Sequence, residues 1–180
     1  MQALDWLIGS AQGLRVDPDR IVVGGASAGG GLAAGVALAA RDRELPLAGQ
    51  LLFYPMLDDR QQTPSSRWDA VVWSPAANEF GWRSYLGAAY GGEVADYAAP
   101  ARTRSYDRLP PTLIIVGGAD GFFDEDLAYA ASLTRAGVPT EVHVHAGAPH
   151  GFDLVAPEST VAAVAAAQAE SWLGPVLARG

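Results

Sequence analysis

The stretch "VGGASAGGGLAAG", Val23 to Gly35, sets one serine, Ser27, among glycines at the point where a short apolar run gives way to a helix-forming one. Ile21, Val22 and Val23 just ahead of it are strand formers, and the alanines and leucines behind it are helix formers. Gly25-Ala26-Ser27-Ala28-Gly29 therefore fits G-x-S-x-G in the strand–turn–helix context that lifts a serine hydroxyl to the tip of a sharp turn. Such a turn strains the serine backbone, and the spacing predicts that Gly25 and Gly29 lack side chains so that strand and helix can pass closely. The Ala28 N–H, at the helix N-terminus, is placed to face an oxyanion. Two other readings compete. The stretch fits a plain glycine-rich turn, and "GGGLAA" (29–34) satisfies a loose dinucleotide-binding pattern. The second fails on position, because Gly29 follows the turn and no acid ends a strand about 20 residues later.

Working outward, "IVVGG" (21–25), "QLLFYP" (50–55), "TLIIVGG" (112–118) and "TEVHVHAG" (140–147) have strand composition and are bounded by Pro and Gly. The first three are apolar on both faces, as inside a parallel sheet covered by helices. In the fourth, Glu141, His143 and His145 alternate with valines, which predicts a half-exposed edge where the sheet ends. Helical patterns cover 2–13, 28–43 and 124–136, the last with Asp124 as N-cap, Gly137 closing it and Pro139 beyond. The tail "STVAAVAAAQAESWLGPVLARG" predicts a helix with Val161, Val164, Trp172, Leu173 and Val176 on one stripe and a kink at Pro175. Strand and helix alternate, so the fold class is α/β, with about four parallel strands flanked by helices.

Residues 56–111 interrupt that rhythm, since a crossover needs only about 10–12 residues. The interval holds Trp68, Trp73, Phe80, Trp82, Tyr85 and Tyr90, which predicts one or two short helices with an aromatic face over the C-terminal edge of the sheet, where open α/β sheets bind ligands.

A serine nucleophile needs a base and an orienting acid. His143 and His145 lie on the polar side of the last strand, as solvated or satisfied surface residues. His150, in "GAPHGFD" (147–153), occupies a loop at the same sheet edge as Ser27. Asp120 follows the third strand directly. Asp124, Glu125 and Asp126 open a helix, where the dipole accounts for them, and Asp58 and Asp59 are the alternative acids. The order Ser27, Asp120, His150 is one in which such triads occur. A metal reading of His143, His145, His150 and Asp120 is disfavoured, because strand alternation turns the first two away from the loop.

The 180 residues carry a formal net charge of −8 and are 49% hydrophobic, without cysteine. That bounds one domain with a sizeable core, excludes disulfides and thiolate chemistry, and disfavours nucleic acid or an anionic membrane as partner, since both need a basic face. The opening "MQALDWLIGSAQGL" lacks the basic start of a signal peptide and no apolar stretch reads as a membrane span, so a cytoplasmic location is expected.

"DPDRIVVGGASAGGGLAA", "LLFYPMLDDR" and "GGADGFFDEDLAYAASLTRAGVPTEVHVHAGAPHGFD", in that order, resemble the hormone-sensitive-lipase-like carboxylesterases, a branch of the α/β-hydrolase superfamily. Ala26 stands where that family has an acid. The resemblance implies a serine esterase acting through an acyl-enzyme on small carboxylic esters, without cofactor or metal. It assigns Ser27 as nucleophile, Asp120 as acid, His150 as base and Ala28 as oxyanion donor, with Ala26, Leu57 and Phe152 contacting substrate. It also implies that residues 1–180 are a catalytic domain lacking the family's N-terminal part, with a cap-like insertion at about 56–90. The His-Gly-Gly-Gly loop that supplies most oxyanion donors in the family has no counterpart among these residues, so impaired activity is expected. The strand that would neighbour 21–25 is likewise missing, so a homo-oligomer or a complementing chain at that open edge is expected. The rival from another class is a catalytically silent α/β module that uses this edge as an interface.

Overall fold

In a computed structural model of the protein, which describes residues 1–178, four parallel strands lie side by side in the order β1 (Val22–Ala26), β2 (Gly49–Phe53), β3 (Thr112–Gly117) and β4 (Thr140–His145). Arg179 and Gly180, the end of the tail helix stretch, lie outside the described residues. The helices are α1 (Gln2–Leu14), α2 (Ala28–Asp42), α3 (Pro75–Leu86), α4 (Phe123–Arg135), α5 (Phe152–Val155) and α6 (Thr160–Ala178). The register pairs Val22 with Gly49, Gln50 with Thr112, and Thr112 with Thr140.

Strand periodicity sorts the core into two layers. Leu52 and Ile114 face α2 and α4, where Ala34, Ala37, Leu38, Tyr129 and Leu133 pack on them. Leu51, Phe53, Leu113 and Ile115 face the other way, against α6 through Ala165 and Ala169. Every residue of β3 is buried, as a central parallel strand with both faces covered requires. α1 packs through Leu4 with Ile21 and Ala40.

Several sequence expectations change in the folded chain. β1, by contrast, keeps the open edge expected of it: among the described residues it pairs with β2 alone, and its residues are partly covered, with Gly24 exposed. Helix α4 starts one residue before Asp124, which is not its cap. The Asp124 carboxylate instead accepts the Ser65 N–H at 2.7 Å, while Ser65 Oγ donates to the Gly121 carbonyl and accepts from the Asp124 N–H. The buried stripe of α6 is Ala162, Ala165, Ala169 and Val176, with Val164 exposed, because small side chains let the helix approach the sheet closely. α6 is also long and apolar enough to cross a membrane by length and composition, which the sequence reading overlooked; in the fold its alanines pack on the sheet. On β4, His145 is satisfied and half-buried, one of the two alternatives expected of it: Gln168 of α6 is 3.0 Å from its Nε2, and Phe152 packs on its ring.

The segment between β2 and β3 is tied down at its base. Asp58 holds Arg60 through two bonds of 2.7 Å, and Asp59 holds Arg102 at 2.6 and 2.7 Å. Both aspartates therefore have structural partners. α3 opens on Ser74, whose hydroxyl accepts the Ala77 N–H, with Pro75 at the first helical position. Trp82, Met56, Ala99 and Phe122 form a cluster over the C-terminal end of the sheet.

Candidate active site

Ser27 sits between β1 and α2 with φ 55° and ψ −122°, a conformation that costs a non-glycine residue about 1–3 kcal/mol. The strain is held in place by three backbone bonds. Ser27 N–H donates to the Phe53 carbonyl at 2.9 Å, and the Ser27 carbonyl accepts from Met56 at 3.0 Å and Gly31 at 3.1 Å. The glycines around the turn divide by what a Cβ would meet. At Gly25 it would lie 2.4 Å from the Gly29 carbonyl oxygen, and at Gly31 2.1 Å from that of Met56, whereas at Gly29 nothing lies within 4 Å. The expectation for Gly29 is thus corrected: its own side chain would point into open space, and the crowding falls on Gly25.

His150 lies in the loop after β4, and Asp120 directly after β3, so three parallel strands deliver three side chains to one edge. His150 Nε2 is 2.9 Å from Ser27 Oγ, and His150 Nδ1 is 2.8 Å from Asp120 Oδ2. The other oxygen of Asp120 accepts the Phe122 N–H at 2.9 Å, which fixes the carboxylate plane. Asp120 is fully buried and His150 nearly so. The imidazole is walled by aromatic rings: Tyr54 at 4.8 Å and Phe122 at 5.0 Å meet it edge to face, and Trp73 lies at 6.1 Å. Tyr54 is anchored in turn, its hydroxyl donating to Asp153 at 2.5 Å, three residues beyond His150; burial, then this bond, pushes the phenol well above its ordinary range. Ala28 begins α2, so its N–H has no acceptor within the helix and is available beside Ser27.

Beside Ala28 opens an apolar cavity of about 170 Å³. Gly31 and Leu32 of α2, Met56 and Trp73, and Gly81, Trp82 and Tyr85 of α3 line it. The three residues expected to touch substrate are elsewhere. Leu57 is fully buried in the core with Leu38 and Ile114; Phe152 packs on Tyr54 and His145; Ala26 joins the cluster beneath α6. Each flanks a site residue in sequence, but strand and turn geometry points its side chain into the core. His143 takes Glu141 as partner at 2.6 Å and does not approach the site. No group of three or more His, Asp or Glu side chains among the described residues could hold a metal.

Two of the acids that open α4 are buried, beyond what the helix dipole alone accounts for. Glu125 accepts the N–H groups of Leu57 and Asp58 on Oε1, at 2.8 and 3.1 Å, while its other oxygen has no partner. Asp126 is fully buried without a partner for either oxygen. Burial above all, with the neighbouring carboxylates adding to it, pushes both acids well above the usual carboxylate range. The signal was present in the sequence: Asp126 shares a helical stripe with Tyr129, Ala130 and Leu133, all buried.

A family model described as the alpha/beta hydrolase fold matches residues 1–154. Over 153 residues the chain is 35% identical to the esterase LipI of Mycobacterium tuberculosis, a match taking in 83% of this chain and 48% of that protein. The solved structure of a bacterial heroin esterase superposes with a TM-score of 0.93 at 41% identity, covering 97% of this chain and 57% of the other. The esterase LipW of Mycobacterium marinum gives 0.91 at 40% identity, covering 98% and 56%. The chain spans about half the length of the curated relatives it matches.

Proposed function

The chain belongs to the alpha/beta hydrolase fold family, in its hormone-sensitive-lipase-like esterase branch, and from that membership we propose that it is the catalytic portion of a carboxylic-ester hydrolase. The observation that carries the reading is the continuous hydrogen-bonded line from Ser27 Oγ through His150 to Asp120, built on a strained elbow. Ser27 Oγ attacks the ester carbonyl as His150 Nε2 takes its proton, and the Ala28 N–H faces the oxyanion. His150 returns the proton to the departing alcohol, leaving the acyl group on Ser27. Water then attacks the acyl-enzyme with the same histidine as base. Asp120 holds the Nδ1–H tautomer and stabilises the imidazolium.

In this reading residues 56–90 act as part of a cap, and the Ala28 N–H is one oxyanion donor of several. A missing donor is commonly worth about 10²–10³ in rate, so these 180 residues alone should turn over esters slowly. The unpaired side of β1 favours a further reading: Val22–Ala26 pair only with β2 among the described residues, and such an edge is a template for a strand from a second copy or a complementing chain. A silent module would use the edge alone.

The test is stoichiometric labelling of Ser27 by an organophosphonate, with Ser27→Ala as control. Labelling with slow turnover is the expected result. A Ser27 that never reacts would overturn the esterase reading and leave the interaction module. Sedimentation separately tests the edge: a monodisperse monomer across concentrations, unchanged by other chains, would refute its use in assembly.

A further inference from the structure

Gly81 is a glycine without a backbone reason. It lies in the interior of α3, where its φ is not positive and where glycine is less stable than alanine. It has no packing reason either. At Gly30 and Gly31 an added Cβ would collide with Pro55 or the Met56 carbonyl at 2.9 and 2.1 Å, but at Gly81 it would meet only the Trp73 ring at 3.5 Å and Met56 Cε at 3.6 Å, ordinary contact distances. Those two side chains are walls of the apolar cavity beside Ala28, and Gly81 is a third. What the bare Cα does is leave that space empty.

We propose that Gly81 is the specificity-determining residue of the site, keeping open a cavity that takes one apolar arm of the ester, of about the size of a benzene ring. An apolar cavity of about 150 Å³ admits benzene and stays dry without it. The cavity here, about 170 Å³ and open to solvent on one side, with almost wholly apolar walls that include two indoles, has room for such a group: an aryl ring or a branched chain of about six carbons. A charged arm would give up its hydration to almost wholly apolar walls. A side chain at 81 would project between Trp73 and Met56 and occupy the same volume.

The assignment of the arm to an ester rests on the esterase reading above, so the test separates the two. Toluene, which carries no ester, is titrated into the protein while the indole N–H resonances of Trp73 and Trp82 are followed by NMR. The wild type should show a saturable shift, weakened about threefold in Gly81→Ala and at least tenfold in Gly81→Leu. In parallel, the ratio of kcat/KM for p-nitrophenyl benzoate over p-nitrophenyl acetate should fall at least tenfold in Gly81→Leu. Gly81→Ala should raise the Tm, which excludes misfolding as the cause of its weaker binding, and it carries the test if the leucine variant does not fold. No saturable shift in the wild type, or equal toluene affinity in wild type and folded variants, overturns the role of Gly81. Failure of Ser27 to label while toluene binding follows the pattern overturns only the esterase reading.

Discussion

Replacing Glu125 separates what its acceptor oxygen does from what its charge would do. Its Oε1 satisfies the N–H groups of Leu57 and Asp58, both buried, and Met56 beside them donates to the Ser27 carbonyl and walls the cavity. Glu125→Ala leaves two buried donors unpaired, each worth about 1–3 kcal/mol, so a loss of about 2–6 kcal/mol is expected. For a chain of this size, at about 2–4 °C per kcal/mol, that lowers the Tm by about 4–24 °C. Glu125→Gln keeps an acceptor at the same position and should cost less than about 1 kcal/mol at pH 5. The pH dependence has a definite sign. The folded pKa is raised above the unfolded value of about 4.3, chiefly by burial and then by the charges of Asp58 and Asp120, against the opposing pull of the two N–H groups. The stability this group contributes is complete below about pH 4 and is lost as pH rises toward its folded value. The Gln variant, which has no proton to lose, should gain on the wild type between pH 5 and pH 8. Urea unfolding followed by tryptophan fluorescence measures both quantities. A Glu125→Ala variant within about 0.5 kcal/mol of wild type, or a Gln variant as damaged as the Ala one, would refute the reasoning.

Two further predictions address the site. Any ester turnover should be abolished by Ser27→Ala and by His150→Ala and nearly unchanged by His143→Ala, whose ring is engaged with Glu141; equal losses in a p-nitrophenyl ester assay at His143 would displace His150 as the base. Gly25→Ala forces its Cβ against the Gly29 carbonyl and should cost about 1–3 kcal/mol together with most of the phosphonate labelling, whereas Gly29→Ala should leave the Tm unchanged or raised; the reverse order in a thermal melt would contradict the geometry of the turn.

The parallel α/β order was legible because strands and helices here carry distinct periods and the turns between them are marked by Gly and Pro. That Ser27, Asp120 and His150 meet at one edge was legible for the same reason: each directly follows a strand, and parallel strands end together. What could not be read was direction. Leu57 and Phe152 neighbour the site along the chain, yet whether a residue after a strand turns to the cavity or to the core depends on turn dihedrals such as the positive φ of Tyr54 and Gly151. Glu125 looked like a dipole-favouring surface acid because its partners lie 68 and 67 residues away. Gly81 resembled any helical glycine until the space beside it could be measured.

The long excursion between β2 and β3 has a consequence in chain entropy. Gln50 and Thr112 pair across 62 residues, a little over twice the separation of Thr112 and Thr140 in the next crossover. Loop-closure entropy grows only with the logarithm of length, so the longer excursion adds about 0.7 kcal/mol to the cost of forming the sheet. The Asp59–Arg102 fork, which joins residues 43 apart, or the pair of N–H groups on Glu125, offsets a penalty of that size. The stretch between Asp59 and Arg102 can therefore be lengthened, shortened or exchanged with little thermodynamic resistance from the sheet, so this interval is free to vary while Ser27, Asp120 and His150 stay fixed on the strands.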